Sequence, residues 1–311
     1  MQFELITVGC ACADVIARPV DQYPEPGHLQ LLPELEIHLG GLAAVTATVF
    51  AQLGGKSALI GKLGADGFGD YIVGALSHAG VDTVHVRREK SEHTSATIVL
   101  VTSQGERTFL HHLGTNGTTV PGDIDMALAK QAKAFHWGGP GVTPGLTGEG
   151  MGKVFQELRE AGVMTSMDTC FDGSGTWFPL IEGALPHLDV VMSSLHEARY
   201  YTGKQEPRDI VRFFRSFGAR YVMLKLGGDG MIVEDARESH HLQAHKVNVV
   251  DTTGAGDASC AGFLYGLVNG WGLYRSGQLA NAVGGLTVQH MGGAEAIASL
   301  EDTIAFMEHG A

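Results

Sequence analysis

Val249-Val250-Asp251-Thr252-Thr253-Gly254-Ala255-Gly256-Asp257-Ala258-Ser259-Cys260-Ala261-Gly262-Phe263 decides how the rest of the chain is read. Val247, Val249 and Val250 read as the end of a strand, and Thr252 to Gly256 as a tight turn. Ala258 onward reads as a helix with Cys260, Leu264 and Leu267 on one face. With almost no side chain at Gly254, Ala255 and Gly256, a ligand can reach the backbone, and the free N–H groups of a first helical turn point out of that end. Such an end binds anions. A carboxylate beside an anion site, Asp257, makes better sense as a base than as a counter-ion, and a base beside an anion hole points to group transfer. The competing reading makes Asp257 the helix N-cap, a common post for Asp after Gly.

The string Asp251-Thr-Thr-Gly-Ala-Gly-Asp257 closely resembles the second signature of the ribokinase-like sugar kinases of the phosphofructokinase B type. The resemblance implies that the Gly254, Ala255 and Gly256 amides form the anion hole for a migrating phosphoryl group. It also implies that Asp257 deprotonates the acceptor hydroxyl.

Composition narrows the alternatives. The chain has 311 residues, 44% of them hydrophobic and 18% charged, which fits one large globular core rather than a disordered segment. A formal charge of -13 argues against nucleic-acid or anionic-membrane partners, and Glu89 interrupts the one tight basic group, Arg87-Arg88 with Lys90. The partner is expected to be a small molecule. Cys10, Cys12, Cys170 and Cys260 show no paired metal-ligand spacing and sit among apolar or small residues, as reduced buried thiols do. No basic segment precedes the apolar start and no apolar run reaches the roughly 18 residues of a membrane span. A cytoplasmic protein is expected, in which Asn116-Gly117-Thr118 is an idle glycosylation sequon.

Leu5 to Val8 reads as a short buried strand ending at Gly9, and Asp14 is the first charged group after it. In open parallel sheets ligands are met at strand ends. The resemblance makes Asp14 the residue that hydrogen-bonds acceptor hydroxyls, whereas a lone Asp in a loop is otherwise a turn former. Residues 15–39, broken by Pro19, Pro24, Pro26 and Pro33, suggest small strands of a flap. Ala96–Val101 and Thr108–Leu113 read as a hairpin through Ser103-Gln104-Gly105-Glu106, and together these segments would make a β lid. Gly40-Gly41 opens a small-residue helix running to about Leu53, where ligand or lid can approach the backbone; it resembles the family's first signature, with Val45 in place of its usual Asn. Gly54-Gly55-Lys56-Ser57 is no phosphate loop, because Phe50 stands where its leading Gly belongs. Gly64-Ala65-Asp66-Gly67-Phe68-Gly69 then starts a helix through about His78.

From Ala134 onward strands (134–137, 163–167, 190–192) alternate with helices, of which 148–161 is the clearest, the order of a parallel sheet covered on both faces. The expected fold is therefore α/β, a ribokinase-like three-layer sandwich with a mostly parallel central sheet and a small β lid, one domain over 1–311. The resemblance adds further roles. Glu197, in Ser194-Leu195-His196-Glu197, organises water-bound Mg²⁺ and phosphate, with Ser194 in place of the family's Asn; the other reading is an exposed helix Glu. Gly228 and Gly230 in Lys225-Leu226-Gly227-Gly228-Asp229-Gly230, with Asn281, wall the nucleotide pocket, although Asn281 reads equally well as structural. Asp251, Thr253 and the Gly292-Gly293-Ala294 turn, Gly293 in particular, hold a monovalent cation, K⁺. No sugar contact carries over to Cys170 or Asp172 after Asp168. The adjacent pairs His111-His112 and His240-His241 would send their rings to opposite strand faces and chelate poorly.

These readings converge on an ATP- and Mg²⁺-dependent kinase for a sugar or nucleoside hydroxyl, with Asp14, Gly40 and Gly41 on the acceptor side and a homodimer through the lid. A sugar- or nucleoside-binding pseudokinase is the rival, prompted by Val45 and Ser194. A dinucleotide-dependent oxidoreductase lacks its Gly-x-Gly-x-x-Gly after the first strand.

Overall fold

The computed structural model describes residues 3–293 and 296–309. Its strands are β1 (Leu5–Gly9), β2 (Cys12–Arg18), β3 (Glu34–Gly40), β4 (Ser57–Gly64), β5 (Val86–Glu89), β6 (Ala96–Val101), β7 (Arg107–His112), β8 (Ala134–Gly138), β9 (Met164–Asp168), β10 (Val190–Ser194), β11 (Tyr221–Lys225), β12 (Met231–Glu234) and β13 (Ser239–Leu242). Nine form one sheet in the order β13-β12-β11-β10-β9-β8-β1-β4-β5. All its pairings are parallel except β11 with β12 and β12 with β13.

The inner strands are apolar along their length because both faces are covered. Alternation sends Leu5, Met192 and Met223 to one apolar layer, under the Leu42–Gln52, Ala255–Val268 and Leu273–Thr287 helices. It sends Ile6, Val191 and Val222 to the other, under the Gly148–Glu160, Leu195–Thr202 and Pro207–Ser216 helices. The result is a three-layer sandwich. The Ala255–Val268 helix is buried on nearly every side, which its run of small residues permits: a Cβ on Gly262 would lie 3.0 Å from the Cα of Ala280 in the neighbouring helix.

The other four strands form the lid, in the order β3-β2-β6-β7, with β2 parallel to β6 and the outer pairs antiparallel. Strands fall within both lid segments inferred from sequence, though residues 19–33 form none, and the loop placement of Asp14 is corrected. Asp14 lies inside β2, paired with His38 and Thr97, and not in a loop. The strand ending at Val250 is also corrected. Residues 243–253 form no strand, Val249 and Val250 are 58% and 48% exposed, and the Val250 and Asp251 amides donate to the Val288 carbonyl at 2.8 and 3.2 Å. The apolar run mimics a strand, but its backbone partner is a helix C-terminus. Among the described residues no helix is long and apolar enough to cross a membrane.

Candidate active site

The C-terminal ends of β1, β8, β9, β10 and β11 gather Gly9, Gly138, Asp168, Ser194 and Lys225 on one edge of the sheet, where open α/β sheets meet ligands. The Ala255–Val268 helix begins on this edge. Its N-cap is Gly254, left-handed at φ +71° with no side-chain cap, so no side chain covers its first amides, of which the Ala255 N–H donates to the Thr252 carbonyl at 3.4 Å. Asp257 is the third residue of the helix and not its N-cap, which removes the competing reading of that residue. Burial raises its carboxyl to about 8; Asp168, Glu197 and Asp14 add to the rise and Lys225 opposes it.

The loop before the helix is clamped from three sides. Asp251 Oδ1 accepts from the Thr253 amide at 2.9 Å and its hydroxyl at 2.8 Å, and Asp251 Oδ2 accepts from the Gly292 amide at 3.3 Å. Gly254 and Gly293 touch backbone to backbone: a Cβ on Gly254 would lie 2.4 Å from the Gly293 Cα. Ala294 of this turn lies outside the described residues. From the lid, Arg107 donates to the hydroxyls of Thr253 at 2.8 Å and Thr252 at 2.5 Å and lies 3.5 Å from Asp251. A cavity of about 500 Å³ opens beside this clamp, walled by Arg18, Glu34, Arg107 and Thr252; neither Asp257 nor Asp14 lines it.

On the lid, His38, Asp14, Thr97 and His111 stand opposite one another in register across all four strands, so one polar row shares one face. Thr97 Oγ1 lies 3.1 Å from His111 Nδ1, and the Cys12 thiol donates to Asp14 at 3.3 Å. Burial raises the Asp14 carboxyl, against the pull of Thr97 and Cys12. Gly40 makes room for that carboxylate, since a Cβ there would fall 2.1 Å from Asp14 Oδ2. Gly41 lets the Leu42–Gln52 helix dock its Ala43 and Ala44 amides on the Cys10 carbonyl at 3.0 and 3.3 Å. Val45 is buried in the apolar layer. Asn116 is also buried, accepting from the Ala11 amide at 3.2 Å and donating to Cys10 Sγ at 3.3 Å, so the sequon is consumed in the fold.

Glu197 is half-buried and not an exposed helix residue. It closes a capping box with Ser194, and its Oε2 accepts from the Thr169 hydroxyl at 3.0 Å. Burial raises its carboxyl, with Lys225 opposing. Among the described residues no group of three or more His, Cys, Asp or Glu is arranged to hold a metal. A lone carboxylate such as that of Glu197 suits only a cation that keeps most of its waters, as Mg²⁺ does. On the far side, Asn281 donates to the Gln243 carbonyl at 2.6 Å, and Gly230 packs where a Cβ would fall 1.9 Å from the Leu242 carbonyl oxygen. Gly228, in the same turn, has open space at its Cβ position.

The sequence reading missed Arg107, Asn116 and the Asp168–Lys225 pair. Lys225 Nζ sits 2.8 and 2.7 Å from the two Asp168 oxygens. Burial works against this ammonium, but Asp168, Cys260, Glu197 and Asp257 hold it charged far above its ordinary range. A Lys and an Asp each ending a buried strand was the available signal.

The model of the pfkB family carbohydrate kinases matches residues 2–299. Probable fructokinase-6, chloroplastic, of Arabidopsis thaliana is 29% identical over 302 residues, covering 91% of this chain and 78% of the relative. The aminoimidazole riboside kinase of Salmonella typhimurium is 29% identical over 268 residues, covering 83% and 84%. The structure of Arabidopsis thaliana ribokinase complexed with ribose and ATP superposes with a TM-score of 0.86 at 24% identity, over 99% of this chain and 99% of that one. The three-layer sandwich with its separate lid is thus the ribokinase-like fold.

Proposed function

Because the chain belongs to the pfkB family of carbohydrate kinases, we propose that it transfers the γ-phosphoryl group of ATP to a hydroxyl of a neutral sugar or nucleoside. The observation that carries this reading is Asp257, a half-buried carboxylate in the first turn of a helix whose N-cap, Gly254, provides no side-chain cap. Asp257 takes the proton of the acceptor hydroxyl, the oxygen bonds to the γ-phosphorus, and the bond to the β-γ bridging oxygen breaks with its electron pair leaving on ADP. The Gly254, Ala255 and Gly256 amides face the charge that develops on the transferred group. Asp14, Gly40 and Gly41 position the acceptor. Gly228, Gly230 and Asn281 wall the nucleotide. Glu197 would hold Mg²⁺ through water, and the metal would supply neutralisation of phosphate charge. Asp251, Thr253 and Gly293 would hold K⁺.

Acceptor choice follows from the polar groups present. A site built to pair a hydroxyl discriminates strongly. Val45 offers no such partner, and Trp137-Gly138-Gly139 brings no carboxylate. Ribose is therefore not the preferred acceptor, and a nucleoside or modified sugar fits better. The test compares kcat/KM for ribose, fructose, 2-keto-3-deoxygluconate and several nucleosides, in K⁺ and in a bulky organic cation at matched ionic strength. Ribose as the clear best acceptor refutes the specificity, and equal rates in both cations refute the K⁺ role.

The other face of the lid carries the row Ile37, Val15, Ile98 and Leu110, with Ile98 and Leu110 47% and 51% exposed. An open apolar sheet face of this kind is covered by a partner, and the partner proposed is the lid of a second copy. Light scattering is expected to give a dimer that Ile98→Lys dissociates. A monomeric parent contradicts it.

A further inference from the structure

We infer that Lys225 is a further positioning residue of the phosphoryl-transfer site, its ammonium standing behind the Gly254–Gly256 amides as a fixed positive charge that stabilises the group in transit. This rests on the kinase reading above. Lys225 ends β11, and its Nζ is 3.2 Å from where a Cβ on Gly256 would be, directly under the first turn of the Ala255–Val268 helix. Its side chain is 13% exposed and that of its partner Asp168 1%. Two of its three donors are spent on Asp168; at the third stands the Cys260 thiol, 3.5 Å away and a weak acceptor.

As a purely structural device this arrangement is poor. A helix N-terminus is itself positive, so a cation there is opposed by the dipole. Two apolar side chains would fill the same space without desolvating an ion pair. The arrangement does serve an arriving anion. The ammonium, the helix end and the loop amides all raise the potential at one point of the cleft, beside Asp257. Around that point stand the acidic side chains of Asp168, Glu197 and Asp257, and Lys225 offsets the negative charge with which they would oppose phosphoryl oxygens. Arg107 reaches the same loop from the lid, through Thr252 and Thr253, and Lys225 reaches it from the sheet.

The test uses the double variant Asp168→Asn/Lys225→Met, which removes the buried ion pair as a unit, with Lys225→Arg as the charge-keeping control. Calorimetry measures ADP–Mg²⁺ affinity with and without aluminium fluoride, a planar anion in place of the transferring group, alongside thermal melting. In the parent, aluminium fluoride is expected to tighten ADP binding by about 10²-fold, and the double variant is expected to lose most of that tightening while binding ADP alone as the parent does. Its kcat falls about 10²-fold with little change in the KM for ATP. Lys225→Arg keeps part of the tightening. A folded double variant that keeps the full tightening overturns the inference, as does a Lys225→Arg protein that has lost all of it. A parent that binds no ADP refutes the kinase reading itself, and the inference falls with it.

Discussion

Asp257→Asn is expected to lower kcat by about 10²- to 10⁴-fold, the usual worth of a general base, while leaving the fold and nucleotide binding intact. The change is isosteric and the helix does not depend on this side chain for its cap, which is Gly254. The pH profile provides the sharper signature. Burial, then Asp168, Glu197 and Asp14, raise the Asp257 carboxyl from 3.8 to about 8. Below that value it carries a proton and cannot accept another, so kcat/KM of the parent climbs with pH and levels off near 8. The variant lacks this limb. The stability linkage has a definite sign. A carboxyl whose pKa is raised by folding contributes stability that is fully present below 3.8 and is lost as pH rises through about 8. At pH above 8, Asp257→Asn should therefore melt higher than the parent. Parent-like turnover with chemistry rate-limiting, or an unchanged pH limb, removes Asp257 from the role of base.

Gly254→Ala is expected to be nearly as damaging, for a different reason. Gly254 is left-handed at φ +71°, where a side chain costs about 1–2 kcal/mol. Its Cβ would also meet the Gly293 Cα at 2.4 Å, a backbone contact that can yield only if the loop moves. Moving the loop misaims the amides, so kcat should fall by about 10²- to 10³-fold, the worth of a lost oxyanion donor, with a lower melting temperature. Gly256→Ala is the control. Its Cβ would meet the Lys225 ammonium at 3.2 Å and no backbone atom, a contact that a few tenths of an ångström relieves, and the loss should be smaller. Equal kcat in Gly254→Ala and parent would mean that these amides are not the anion hole.

What could be read in the sequence follows the range of the forces involved. Leu5 to Val8, the helix after Gly41 and the Ala96–Val101 strand are set by local periodicity and glycine punctuation, and the structure has them within a residue or two. Strand order decided the rest. Asp14 looked like a loop residue because β2 leaves the main sheet after Gly9 and starts the lid at Cys12. Val249 and Val250 looked like a strand because alternation is blind to whether a sheet edge is available. Lys225 and Asp168 are 57 residues apart, and Arg107 is 146 from Thr253, so neither partnership leaves a local trace. The turn at Gly254 was legible because a tight turn with left-handed backbone calls for small residues in a row. That Asp257 sits third in the helix was not, since the helix starts at Ala255, earlier than the first apolar-periodic residue suggests.

The most direct test of the central claim is to incubate the protein with ATP, Mg²⁺ and each acceptor of the panel, and to follow the acceptor itself by ³¹P NMR alongside ADP. The account predicts a phosphate ester of at least one neutral sugar or nucleoside, formed one for one with ADP by the parent and at least about 10²-fold more slowly by Asp257→Asn. No ester with any acceptor, or an ester formed equally fast by both proteins, would contradict it.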